Sequence, residues 1–211
     1  LQGTISISND GYTVAIGAPF NDGNGSMSGH VRVYNYNGGS WNQIGQDIDG
    51  ESAGDGSGMS VSISSDGNIV AIGSYGPSLV YVFDGTYWAQ LGHNLVSMVL
   101  WGEVRLSSDG NTIAIGEPSF NGSQGATQVF NWDGSSWIQL GQTIHGEASG
   151  DNSGEKIDLS SDGNILAIGA FSNDGNGSGS GHVRVYQYNG STWNQLGQDI
   201  DGESAGDRSG R

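Results

Sequence analysis

Val61-Ser-Ile-Ser-Ser-Asp-Gly-Asn-Ile-Val-Ala-Ile-Gly73 carries three structural signals in one short stretch. Val61 to Ser64 alternate apolar residue and serine, the period of a strand with one buried face. Asp66-Gly67 follows, a pair suited to a two-residue hairpin turn because both residues tolerate positive φ. Ile69 to Ile72 are continuously apolar, the pattern of a strand buried on both faces. A helix would need apolar residues at helical spacing and few interior glycines, and no window of the chain supplies them.

The stretch is one of four. Ile5–Gly17, Val104–Gly116 and Ile157–Gly169 repeat it, each with its own Asp-Gly pair. A second block follows every copy: Trp41-Asn-Gln-Ile-Gly45, Trp88-Ala-Gln-Leu-Gly92, Trp137-Ile-Gln-Leu-Gly141 and Trp193-Asn-Gln-Leu-Gly197. Between the blocks lies an alternating strand, Gly29-His-Val-Arg-Val-Tyr-Asn-Tyr-Asn37 in the first unit and Gly181-His-Val-Arg-Val-Tyr-Gln-Tyr-Asn189 in the fourth. Gln46–Gly54 and Gln198–Gly206 are identical. Each unit of about 50 residues therefore reads as four antiparallel strands, A to D, which is the pattern of a propeller blade. The fold class is all-β, a β-propeller with four blades in residues 1–211, at approximately 1–50, 51–95, 96–146 and 147–211. The four blades either close as a ring or form a segment of a larger propeller. The regular register of the four tryptophans suits packing between blades.

Composition narrows the function. The chain has 211 residues, 39 glycines, three prolines and no cysteine, so neither a disulfide framework nor a thiolate metal site exists. Its formal charge is −16 with six basic residues. Nucleic acids and anionic lipids need clustered Lys and Arg, so neither is an expected partner. No apolar run approaches a membrane span, and no signal peptide is visible, which reads as a mature or excised chain.

Ser57-Gly-Met-Ser-Val-Ser-Ile-Ser-Ser-Asp-Gly-Asn-Ile-Val-Ala-Ile-Gly73, with Gly17-Ala-Pro19 in the first unit, resembles the FG-GAP repeat of integrin α-chain propellers. The resemblance spans the chain four times and extends to repeat-rich bacterial surface and secreted proteins. It implies an extracellular or cell-surface propeller used in adhesion or recognition. Members of that family often carry a calcium loop between strands A and B. Here that turn is only Ser65-Asp66-Gly67-Asn68, so the calcium role does not transfer to it.

Candidate sites fall on the other connections. The B–C loops Asn21-Asp-Gly-Asn-Gly-Ser26 and Asn173-Asp-Gly-Asn-Gly-Ser178 place oxygens at alternate positions, Asp22, Asn24 and Ser26, and Asp174, Asn176 and Ser178. Hard cations such as calcium take this spacing, although Asx-turns produce it without a metal. The D–A loops carry Glu51 with Asp55, Glu147 with Asp151, and Glu203 with Asp207. Their repetition argues for a blade-joining loop rather than a tuned catalytic pair. In the second unit the acidic D–A loop is replaced by apolar residues, and Met98, Leu100 and Trp101 are candidate partner contacts.

The sequence points to a non-enzymatic recognition module binding a protein or glycan, through the acidic loop face or the irregular second blade. Self-association to complete a larger ring is a further expectation. A polysaccharide lyase on a propeller scaffold is the enzymatic alternative, and it would need a His/Tyr/Arg cluster in a groove. A structural surface repeat is the third reading.

Overall fold

A computed structural model describes residues 4–96 and 102–211. The first sheet contains β1 (Ile5–Ile7), β2 (Thr13–Ala18), β3 (His30–Tyr36), β4 (Trp41–Gln43) and β5 (Ile48–Asp49). The second has β6 (Ser60–Ile63), β7 (Ile69–Gly73), β8 (Leu79–Phe83) and β9 (Trp88–Gln90). The third runs through β10 (Val104–Leu106), β11 (Thr112–Glu117), β12 (Ala126–Trp132), β13 (Trp137–Gln139) and β14 (Ile144–His145). The fourth holds β15 (Lys156–Leu159), β16 (Ile165–Ala170), β17 (His182–Tyr188), β18 (Trp193–Gln195) and β19 (Ile200–Asp201). All strand pairs within the sheets are antiparallel, and strands A to D are neighbours in chain order.

Three sheets have a fifth short strand that the sequence reading of four strands does not contain. It is the far end of strand D. Tyr34 pairs with Gln43 and Val31 with Ile48, so Arg32 and Val33 face four residues, Ile44 to Asp47. The excess is a bulge that splits strand D in two. Gly45 turns the bulge at a φ of +68°, and its counterparts Gly92, Gly141 and Gly197 also have positive φ. A Cβ on Gly45 would collide with the Trp88 indole of the next blade, and one on Gly92 with Trp137. Glycine thus serves twice here, for the backbone turn and for the close approach of an indole.

The A–B hairpin also differs from the two-residue turn. Only the glycine of each Asp-Gly pair has positive φ. Gly67 donates its N–H to the Ser64 carbonyl, and Asn68 donates its N–H to Asp66 Oδ1 at 3.0 Å. The Ser64 hydroxyl donates to the same carboxylate at 2.6 Å and accepts the Ile69 N–H. The aspartate is therefore a side-chain brace and the glycine alone takes the left-handed position. Burial pushes the Asp66 carboxyl up, but the bonds from Ser64 and Asn68 outweigh it and hold the pKa below the usual range.

Three apolar cores join the four sheets in series. Val33 and Ile48 of the first sheet pack on Val61 and Trp88 of the second, and the same relation recurs at the next two junctions. Trp88, Trp137 and Trp193 are each 3% exposed, and each donates its indole N–H to a carbonyl of the preceding blade: Ile44, Leu91 and Leu140. The serines of strand A face the next blade. Ser60 and Ser62 accept the backbone N–H groups of Val104 and Leu106, as Thr4 and Ser6 accept those of Val61 and Ile63. A strand edge that would otherwise lack partners is satisfied by side chains of its neighbour.

Candidate functional site

The B–C and D–A connections meet at one end of the sheets. Each acidic D–A loop is a small turn clamped by its own last aspartate. Asp55 Oδ2 accepts the Ser52 N–H at 2.7 Å, Asp151 Oδ2 the Ala148 N–H at 3.0 Å, and Asp207 Oδ2 the Ser204 N–H at 2.8 Å. One carboxylate of each repeated Glu/Asp pair is thus spent on loop geometry.

The B–C loops bind their own and neighbouring main chain. Asp22 Oδ1 accepts the Met27 N–H and Asp174 Oδ1 the Gly179 N–H. Asn24 and Asn176 donate their side-chain amides across to the carbonyls of Gly50 and Gly202 in the D–A loops. Ser26 and Ser178 contribute main-chain carbonyls to Gly54 and Gly206. Asn24 and Ser26, and Asn176 and Ser178, thus tie the B–C loop to the D–A loop, whereas Asp22 and Asp174 brace their own loop.

The length of the B–C loop decides what lies beside the D–A loop of the preceding blade. Between the first and second blades the short Gly76-Pro77-Ser78 connection leaves almost no space, about 10 Å³ against Glu51 and Asp55. Between the third and fourth, the longer loop opens a cavity of about 430 Å³ lined by Glu147, Ser149, Asp151, Ser172, Asn173 and Asp174. Asn173, 5% exposed, donates to Asp151 Oδ2 at 3.0 Å and to Glu147 Oε2 at 3.3 Å, fixing the cavity floor.

Below this cavity is an ionic cluster. Arg184 donates two bonds to Asp199, at 2.9 and 2.7 Å, and pairs with Glu147 of the preceding blade. His182 is 3% exposed, and its Nδ1 lies 3.7 Å from Asp199 and 4.0 Å from Glu147 without a hydrogen bond. Burial pushes the Arg184 pKa down, but its bonds to Asp199 and Glu147 hold it above the ordinary value. Arg184 in turn depresses the Asp199 carboxyl. The first blade holds a related group of His30, Arg32, Asp47 and Asp49, in which Asp49 of the same blade takes the place of the carboxylate that Glu147 brings across the junction. Among the described residues these two groups bring a histidine and two carboxylates within metal-ligand reach of each other. In both, a guanidinium already neutralises a carboxylate, so a cation would have to compete with it.

Charged residues also replace the strand-A serines at the last junction, which the sequence reading passed over. Glu103, 7% exposed, accepts the Ile157 N–H at 3.0 Å and contacts Arg105, while Lys156 and Asp158 hold the matching positions of β15. A second missed residue is Glu117, in place of the alanine of Gly-Ala-Pro. Burial raises its pKa, partly offset by Gln128, which donates to it at 2.7 Å, and by His145. Lining up the four repeats column by column would have exposed both substitutions.

In the irregular second unit, Leu95 is 2% exposed and belongs to the core, with Val96 packed beside it. Those two residues fold over the sheet rather than outward. Met98, Leu100 and Trp101 lie outside the described residues.

No protein-family model and no curated protein matches the chain. Solved structures do. TolB from Acinetobacter baumannii aligns at a TM-score of 0.54 and 15% identity over 92% of this chain and 42% of its own. A functionally unknown protein from Desulfotomaculum acetoxidans aligns at 0.63 and 15% over 95% and 56%. A 6-phosphogluconolactonase-like protein from Bacteroides fragilis aligns at 0.62 and 12% over 94% and 54%. The fold is a β-propeller type. This chain spans between 42 and 56% of the length of those three proteins. Among the described residues no helix is long and apolar enough to cross a membrane.

Proposed function

We propose that the chain is a non-enzymatic recognition module, displayed outside the cell or on its surface, that offers its acidic loop face to a glycan or protein partner. The observation that carries the reading is the cavity between the third and fourth blades. It combines carboxylates, a carboxamide and small hydroxyl residues at one rim. Such a set can donate to and accept from the hydroxyls of a sugar or the polar side chains of a protein. Phe120, 44% exposed, lies in the third blade's B–C connection and adds an aromatic surface near His145. The likeness of the repeats to FG-GAP units of surface propellers points the same way.

The ionic cluster supports binding over catalysis. His182, Arg184 and Tyr186 alternate along β17 and supply the residue types a lyase would need. Arg184 is held by two carboxylates, His182 is buried, and His30, Arg32 and Tyr34 repeat the trio in the first blade. A duplicated, internally paired set is a brace for the bulge, and in the fourth blade it also spans the junction through Glu147.

An array of glycans and extracellular-matrix proteins tests the proposal. Glu147→Gln with Asp174→Asn keeps side-chain shape while removing two charges from the rim. The double variant should weaken the captured ligand about tenfold, equivalent to about 1.4 kcal/mol. Absence of any captured ligand, or unchanged affinity in the variant, would defeat the reading. Release of unsaturated sugar from acidic polysaccharides would establish the lyase instead.

A further inference from the structure

His182 opens β17 and is 3% exposed, and its Nδ1 is the only buried side-chain nitrogen without a hydrogen-bond partner among the described residues. Buried polar atoms are rarely left unpaired, so this one calls for a reason. The nitrogen faces two carboxylate oxygens, Asp199 Oδ2 at 3.7 Å and Glu147 Oε2 at 4.0 Å. An imidazolium bonded to a carboxylate would stand about 2.7–2.9 Å away, so neither gap is a charged hydrogen bond. The gaps instead match neighbouring donors around one ion. Zinc bonds imidazole nitrogen and carboxylate oxygen at about 2.0–2.2 Å, which sets two of its donors roughly 3–4 Å apart. All three atoms lie within 4.8 Å of one another.

We infer that Glu147, His182 and Asp199 form a site for a zinc-class divalent cation that joins the third blade to the fourth. Glu147 comes from the D–A loop of the third blade, whereas His182 and Asp199 belong to the fourth. The inference stands whatever partner the acidic loop face binds. A mixed set of one imidazole and two carboxylates suits zinc better than calcium, which takes oxygen ligands alone. Three protein ligands leave one position of a tetrahedral ion for water.

The donors are held in place before any ion arrives. Asp199 Oδ1 accepts from Gln195 at 2.6 Å and from Arg184 Nε at 2.9 Å. Its Oδ2 accepts from Arg184 at 2.7 Å and, having two lone pairs, keeps one for an ion. Glu147 turns Oε1 to Arg184 and Oε2 to His182, and Asn173 donates to that Oε2 at 3.3 Å. Arg184 therefore has a double effect. It orients both carboxylates, as outer partners of metal ligands do, and its charge lowers the affinity for a cation. Two carboxylates and one guanidinium leave the group a net single negative charge with the imidazole neutral, so a divalent ion is still attracted. The expected affinity is micromolar, well short of an all-thiolate site.

Zinc chloride titrated into the 211-residue chain by calorimetry provides the test. Uptake should occur at this site, and the melting temperature should rise with zinc and return when a chelator is added. His182→Leu removes the imidazole while keeping a buried side chain of similar bulk. Glu147→Gln changes a half-buried loop residue, so it keeps the test open should the first variant fail to fold; circular dichroism reports on both. Changing an outer partner of a metal ligand costs about 10–100-fold in affinity, so losing a ligand should cost at least about 100-fold. Crystals grown with zinc chloride should show an anomalous-scattering peak about 2.0–2.1 Å from His182 Nδ1. No zinc uptake, a peak only elsewhere on the chain, or unchanged affinity in a folded variant would each overturn the inference.

Discussion

Trp137 donates its indole N–H to the Leu91 carbonyl at 2.8 Å while its ring contacts Trp132, 5.5 Å between centroids. Replacing it with alanine would leave a cavity and an unpaired carbonyl between two blades. The expected loss of stability is about 3–5 kcal/mol. Trp41 occupies the same repeat position but packs only within its own blade, against Tyr36. Trp41→Ala should cost the chain about 1 kcal/mol or less. Urea unfolding of both variants checks the contrast. Equal losses would show that the indoles stabilise through their own blade rather than the junction.

The bulge in strand D was only half legible in the sequence. Trp-x-Gln-Leu/Ile-Gly announces a strand followed by a glycine, but its continuation at Ile48-Asp49 depends on β3 lying opposite. The bulge glycine couples backbone and packing. Gly92→Ala would force a residue with Cβ to a φ of +80° and press that Cβ on Trp137 and Trp132. The variant should lose at least about 1–3 kcal/mol. A parallel Gly197→Ala variant keeps the φ penalty without the collision. Comparing thermal melts of the two separates strain from packing; identical shifts would assign the whole cost to the backbone. The hairpins tell a similar story. Asp-Gly marked the turn correctly, but which residue took positive φ depended on Ser64 and its equivalents bracing the aspartate.

At the scale of the whole molecule, carboxylates braced by hydrogen bonds set the acid response. Arg32 lowers Asp47 and Arg184 lowers Asp199, and the serine hydroxyls lower Asp10 and Asp162, all from an ordinary 3.8. A depressed folded pKa means the fold favours the ionised form. The stability from these groups is present above the unfolded pKa and is lost as pH falls through the folded values. These groups predict a melting temperature that holds from neutral pH to about 4 and falls below it. Asp199→Asn should lower the melting temperature at neutral pH and flatten the acid limb. An acid limb of unchanged slope would remove Asp199 from the account.

The sequence by itself determined the repeat, the antiparallel four-strand unit and the turn positions, whereas its expectation that all four tryptophans pack between blades fails at Trp41, which is exposed. Those features are local: alternation, Asp-Gly punctuation and a fixed register act within a few residues of each other. Tertiary structure alone decided that three tryptophans are buried and the fourth is not, because burial depends on whether a neighbouring blade stands against that face. It also decided where a cavity opens. The acidic D–A loops of the first and third blades share the Glu/Asp pattern, yet only the latter faces a long B–C loop from the blade beside it. The partner that shapes the space lies in the next repeat, and no pattern within one repeat encodes it.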